Sequence, residues 1–187
     1  MTTLPQHPFA WTLGERTVPF ENPWFEVQVI DSRDPNGKPA QYGLVHFKNL
    51  AVGIIPYADD HIWLVGQSRV GFESYSWEIP AGGGDPTAAA IDAARRELRE
   101  ETGLIAQTLT PIIEMETSNS VTNERAIIFL ATDLTLGPTE HESSEDISVL
   151  KISLDDALAA VEAGQIRHSI GVAAIYKLSL MKLRGEL

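Results

Sequence analysis

Residues 82–104 read GGGDPTAAAIDAARRELREETGL, and no other stretch of the chain decides as much about its fold and chemistry. Three glycines run into Asp85-Pro86, the pairing of an N-cap residue with a proline at the first helical position. Gly103 is the left-handed residue that stops a helix. The spacing therefore predicts a helix between Asp85 and Gly103, roughly 25 Å long at about 1.5 Å per residue. At about 100° per residue, Glu97, Glu100 and Glu101 share one arc of about 100°, beside Ala90, Ala93 and Ala94, which leave room for an approaching group. Ile91 and Leu98 face the core, and Asp92, Arg95 and Arg99 face solvent. Arg96 offsets part of the carboxylate repulsion through its i,i+4 partner Glu100.

A glutamate pair on a helix is ordinarily just a solvated face. Here the carboxylates lie beside alanines, the helix is capped at both ends, and glycines precede its N-terminus, where N–H groups and the helix dipole favour anions. Oxygen ligands beside small residues suit a hard divalent cation with room for water and phosphate oxygens.

Composition narrows the classes. The 187 residues carry a formal net charge of −12 and no cysteine. That length suits one domain with a small appendage. The acidic balance, with no Lys/Arg cluster, argues against a general nucleic-acid binder but not against a nucleotide whose charge a metal neutralises. Without cysteine there is no disulfide, thiolate zinc site or cysteine nucleophile. No apolar run approaches membrane-spanning length, and MTTLPQHPFAWTLGERT lacks the order of a signal peptide, so a cytoplasmic protein is expected.

Before the quoted stretch, Phe25–Asp31 and Tyr42–Phe47 read as strands around the turn Asp34-Pro35-Asn36-Gly37. Leu50–Pro56 and Ile62–Arg69 form an apolar hairpin about Ala58-Asp59-Asp60, and Ser76–Pro80 leads into the glycine loop. After it come strands at Thr108–Glu116 and Arg125–Asp133, an acidic loop at Gly137–Asp146, and a strand at Ile147–Ile152. Ser153 caps a helix that ends at Gly164, and a last helix covers His168–Leu183. An α/β fold is expected, with a mixed sheet carrying helices on both faces. Residues 1–48 form an N-terminal β-unit and 49–187 the main domain. His141 and His168 are expected at the surface.

The segment from Gly82 to Leu104 resembles the Nudix box, G-x5-E-x7-R-E-U-x-E-E-x-G-U, with U a bulky aliphatic residue. Arg96-Glu97, Glu100-Glu101 and Gly103 stand at its fixed positions, and Leu98 and Leu104 at aliphatic ones. One position departs: Ala88 stands where the pattern has its early glutamate, a partner of the box arginine. Beyond the box, Trp77-Glu78-Ile79-Pro80-Ala81-Gly82 is similar to the lead-in of ADP-ribose pyrophosphatases and related nucleoside-diphosphate-sugar hydrolases. Gln67-Ser68-Arg69, Glu21-Asn22-Pro23-Trp24 and Pro35-Asn36-Gly37-Lys38 resemble further features of that subfamily.

The resemblance implies a Nudix α/β/α sandwich with an N-terminal β-unit, and hydrolysis of a nucleoside diphosphate sugar such as ADP-ribose to a nucleoside monophosphate and a sugar phosphate. It implies Mg2+ or Mn2+ held by the Ala81 carbonyl, Glu97 and Glu101, with Glu100 an added ligand or water-orienting group and Arg96 supporting catalysis. Arg69 would hold the substrate, with Glu78, Gly82 and Gly83 as further substrate contacts; Trp24 either stacks on the nucleobase or is a core or interface tryptophan. A loop glutamate would serve as base: Glu145 keeps the register of the family's E-x-E-D-I pattern, Ser143 replaces that pattern's first glutamate, and Glu142 lies one residue off. Glu124 occupies a position that is often acidic in the subfamily. A homodimer paired through the N-terminal units is expected, with no nucleic-acid or membrane partner. The alternatives are a Nudix-fold sensor without catalysis, which Ala88 and Ser143 would permit, and an RNA 5′-pyrophosphohydrolase.

Overall fold

The computed structural model describes residues 3–137 and 147–187, so Glu142 and Glu145 lie outside the described residues. The chain divides into two units, Met1–Lys48 with Ser118–Asn123, and Asn49–Thr117 with Glu124–Leu187.

The first unit is a three-stranded antiparallel sheet of β1 (Thr12–Glu21), β2 (Phe25–Arg33) and β3 (Pro39–Phe47), in that spatial order. The expected turn joins β2 to β3. Asp34 Oδ1 accepts from the N–H groups of Asn36 and Lys38, each at 2.9 Å, and Gly37 has φ of 80°. Strand β1 was not expected from sequence. All its residues are exposed and its pairing with β2 shifts register twice, so it lacks the half-buried alternation that betrays a strand. Ser118–Asn123 joins this unit through hydrogen bonds from Val45 N to Val121 O at 2.8 Å and from Phe47 N to Asn123 Oδ1 at 3.0 Å.

The second unit is built on a seven-stranded sheet. Its path is β10 (Ser148–Ser153), β5 (His61–Arg69), β4 (Leu50–Ala58), β9 (Arg125–Leu136), β8 (Leu104–Glu116). Strand β6 (Ser74–Glu78) pairs with β5, and β7 (Ala81–Gly84) with β4. The sheet is mixed because β4 and β9 run parallel while the other pairs are antiparallel. Asp59 and Asp60, with φ of 51° and 61°, make the tight β4–β5 turn, whose geometry needs positive φ at both central residues.

Period-two alternation along β4 sends its side chains to two different cores. Val52 and Ile54 pack with Ala94 and Leu98 of α1 (Ala90–Thr102) on one face. Ile55 packs on the other with residues of α2 (Leu154–Glu162) and α3 (Ser169–Leu183), among them Leu154, Ile175 and Leu178. The result is an α/β/α sandwich. Ser153 caps α2 as expected, its Oγ accepting from Asp156 N at 3.1 Å, and Gly164 follows that helix with φ of 70°.

Three local expectations give way. Helix α1 starts at Ala90 with Ala89 as N-cap, a turn later than Asp85-Pro86 suggests. Asp85 Oδ1 instead accepts from both the N–H and the hydroxyl of Thr87 at 2.7 Å, closing an Asx turn that satisfies the side chain before the helix begins. The glycines form an edge strand, β7, rather than a loop. Nor do the alanines leave open space. Ala94 is fully buried, and a Cβ built on Gly84 would stand 3.0 Å from Cβ of Ala93, so small residues on both sides draw α1 against β7.

Candidate functional site

Strand β7 and helix α1 together set out the carboxylates. Glu97 and Glu101, only 9% and 5% exposed, point from α1 towards β7, and Glu100 is half-buried beside them. The Ala81 N–H donates to Glu101 Oε2 at 3.0 Å. A Cβ on Gly82 would fall 2.1 Å from the Glu97 carboxyl group, so the Glu97 carboxylate occupies the space that a side chain at 82 would need. Leu98 anchors the adjoining side of α1 in the core, and Gly103, at φ of 69°, ends the helix where expected.

Arg96 ties this face together. It donates to Glu97 Oε1 at 2.7 Å, Glu100 Oε2 at 2.8 Å and the Gly83 carbonyl at 2.9 Å. Partial burial pulls its pKa down, but the two glutamates outweigh burial and raise it. The guanidinium thus screens neighbouring carboxylates and pins the glycine strand at once. Ala88 lies exposed in the turn ahead of the helix, its N–H bonded to the Asp85 carbonyl at 3.1 Å. Because Arg96 already has two carboxylates and a carbonyl, it does not depend on an early glutamate. Ala88→Glu should leave kcat/KM within about twofold of the parent, since a surface change usually stays within about 0.5 kcal/mol. A steady-state assay decides; a tenfold rise would show that Arg96 was under-braced.

The donor set suits a hard divalent cation: three carboxylates on one face, two of them nearly buried, beside a glycine backbone with no side chain in the way. Among the described residues, no three acidic or histidine side chains converge on one point. Arg96 draws Glu97 and Glu100 together, while Glu101 turns to the Ala81 N–H.

A second cluster lies at the end of β5. Arg69 Nε and Nη2 donate to the two carboxylate oxygens of Glu78 at 2.9 and 2.6 Å, a bidentate pair. Glu78, expected as a substrate contact, is 2% exposed and serves here as the partner of Arg69. Burial works to raise the Glu78 pKa, but the Arg69 hydrogen bonds and the nearby His168 hold it below the usual carboxylate value. His168 is not the surface residue expected. It is the N-cap of α3, half-buried, with Nδ1 3.3 Å from Glu78 Oε2 and no hydrogen bond. Burial lowers its pKa; Glu78 and Glu124 act in the opposite sense, and Arg69 adds to the lowering. Glu124 also accepts from the Thr117 hydroxyl. One signal for His168 was available in the sequence: a histidine stands where a helix start usually has Ser, Thr, Asp or Asn.

Trp24 belongs to the first unit, 64% exposed in the turn between β1 and β2. Asn22 Oδ1 shapes that turn by accepting from Trp24 N at 2.9 Å and Phe25 N at 2.8 Å.

Comparison with known proteins places this chain in a family. The NUDIX domain model matches residues 47–170. An ADP-ribose pyrophosphatase of Bacillus subtilis (strain 168) is 33% identical over 180 residues, covering 90% of this chain and 95% of the relative. The ADP compounds hydrolase NudE of Escherichia coli (strain K12) is 29% identical over 153 residues, covering 81% and 82% respectively. A crystal structure of an ADP compounds hydrolase superposes with a TM-score of 0.85 at 25% identity, covering 98% of this chain and all of that one.

Proposed function

This chain belongs to the Nudix hydrolase family, and from that membership we propose that it cleaves the pyrophosphate bond of ADP-ribose or a closely related ADP-linked compound, releasing AMP and a sugar phosphate. The observation that carries the proposal is the face of Glu97, Glu100 and Glu101 set against β7 and bridged by Arg96. The substrate class is supported by the names of relatives matched over most of the chain's length.

In this reading Glu97, Glu101 and the Ala81 carbonyl hold the cation, and Glu100 is a further ligand or orients water. A bound Mg2+ or Mn2+ ion would neutralise charge on the pyrophosphate oxygens and lower the pKa of an attacking water. Arg69 holds the substrate with a guanidinium oriented by Glu78. Gly82 and Gly83 are assigned to the substrate phosphates as residues without side chains of their own, Gly82 lying directly against the Glu97 carboxylate. General-base assistance is assigned on sequence grounds to Glu145, with Glu142 the alternative. On sequence grounds alone Trp24 is assigned either to nucleobase stacking or to an interface.

The first unit supports a homodimer. Its edge strand β1 is exposed along ten residues and displays Leu13, Val18 and Phe20, a surface that suits pairing with a second copy. Among the described residues, no helix is long and apolar enough to cross a membrane.

The test is a substrate panel of ADP-ribose, GDP-mannose, UDP-glucose, dinucleoside polyphosphates and capped RNA, with Mg2+ and with Mn2+. ADP-ribose should give the highest kcat/KM, with AMP as product and no turnover in EDTA. Preference for capped RNA would replace this reading. Binding of ADP-ribose without turnover of any member would make the protein a ligand sensor.

A further inference from the structure

The buried carboxylate of Glu78 has contacts on two sides, and only one is accounted for by gripping Arg69. The Arg69 fork takes both oxygens, and its side chain remains 41% exposed at the end of β5. On the other side stands His168, from an element 90 residues further along the chain. Its Nδ1 is buried, lacks a hydrogen bond, and lies 3.3 Å from the same oxygen that receives Arg69 Nη2. The ring does not cap its own helix, although it occupies the N-cap position of α3. Helix α3 is anchored by Ile170, Ala174, Ile175 and Leu178, all in the core, so the imidazole is carried on a rigid support. Glu78 is thereby clamped between a flexible cation on a strand end and a ring on a fixed helix.

We propose that His168 is a positioning residue for substrate binding, holding the Glu78 carboxylate so that Arg69 presents its guanidinium in one orientation. The proposal rests on the reading that Arg69 holds the substrate. Physically, a bidentate pair orients an arginine only as well as the carboxylate is itself fixed. Glu78 has its backbone in β6, and its carboxylate is engaged by Arg69 and by the Ser76 side chain, which leaves the face towards α3 to be held by another group. The Nδ1 edge, 3.3 Å from Oε2 but not aligned for a hydrogen bond, packs against the carboxylate on the side away from Arg69 and blocks its rotation that way. The chemistry itself takes place among the α1 carboxylates, so loosening Arg69 affects capture of the substrate and not the rate once it is seated.

The experiment measures kcat and KM for ADP-ribose in the full-length protein carrying Arg69→Ala, His168→Leu, His168→Gln, His168→Asn and the double change Arg69→Ala/His168→Leu. Asparagine keeps a polar donor at the Nδ1 position, whereas glutamine moves it outward to that of Nε2. The Leu and Gln variants should raise KM roughly tenfold with kcat within about twofold, and Asn should restore most of the loss. In the double variant His168→Leu should add nothing to Arg69→Ala, because the effect passes through that residue. If the Leu variant does not fold, the contrast between Gln and Asn carries the same test. Parent-like KM in the Gln variant, an Asn variant as impaired as Gln, or additive effects in the double variant would overturn the proposal. A parent-like KM in Arg69→Ala would overturn it together with the assignment of Arg69 to substrate. A raised KM there with unaffected His168 variants would overturn the role of His168 alone.

Discussion

Replacing Glu101 by glutamine should lower kcat by roughly a hundredfold or more, the scale on which a preorganised charge at a reacting centre acts. Glutamine keeps the volume and still offers an oxygen to the Ala81 N–H, which Glu101 now accepts at 3.0 Å. What it removes is the negative charge, which a hard cation requires of a ligand. Folding should survive: the residue is 5% exposed and shares its helix face with Glu97 and Glu100, so losing one of three like charges offsets the loss of a charge-assisted hydrogen bond. Measured together, Tm should stay near the parent value or rise, calorimetric Mn2+ binding should weaken, and turnover should collapse. Turnover unchanged in the presence of a folded variant would remove this helix face from the chemistry.

The parts of this site that were legible in sequence are those fixed by helical periodicity. Glu97, Glu100 and Glu101 must share a side of any helix ending at Gly103, whatever the rest of the fold does. Leu98 must then lie on the adjoining side, about 60° round from Glu101 on a helix of about 100° per residue, and it does, in the core. The start of the same helix was less legible because Asp-Pro serves two purposes. An aspartate that could cap a helix closes an Asx turn with Thr87 instead, using the same side-chain oxygen. The strand character of Ala81–Gly84 was hidden for a related reason. Glycine has poor strand propensity, and β7 is held by the neighbours β4 and α1, not by its own composition.

Long-range partnerships were the least legible. Glu78 stands in a motif that suggests a ligand contact, but only the folded chain brings Arg69 and His168 to its carboxylate. A carboxylate in an apolar lead-in, Trp-Glu-Ile-Pro, calls for a buried counter-charge. Nothing local says which of the chain's 14 lysines and arginines, or 5 histidines, supplies it. Arg96 shows the converse case. Its i,i+4 bond to Glu100 was readable, whereas its bond to the Gly83 carbonyl depends on β7 lying alongside α1. That second bond is why Ala88 can stand at the place of a glutamate without leaving the box arginine unbraced.

Gly82→Ala should separate activity from stability more cleanly than any other glycine change in the second unit. The new methyl group would arrive 2.1 Å from the Glu97 carboxyl carbon, far inside contact distance. Its obstacle is the tip of a long side chain, which can swing aside at small cost to the fold. Gly53 offers the contrast: a Cβ there would meet Ile170 Cγ2 at 2.6 Å and Ile79 Cδ1 at 3.2 Å, both within the core beneath β4. Overpacking of that kind typically costs about 1–3 kcal/mol, so Gly53→Ala should melt several degrees lower. Gly82→Ala should melt close to the parent. Its cost falls on function, because the displaced carboxylate leaves both the backbone of β7 and the 2.7 Å bond from Arg96. A misplacement of about 1 Å at a reacting centre can cost roughly a hundredfold. We therefore expect kcat to fall by about that factor while Tm hardly moves, read by steady-state assay and thermal melts on Gly82→Ala, Gly53→Ala and the parent. Full activity in Gly82→Ala would mean that Glu97 works from a different position, one that leaves the space beside Gly82 open.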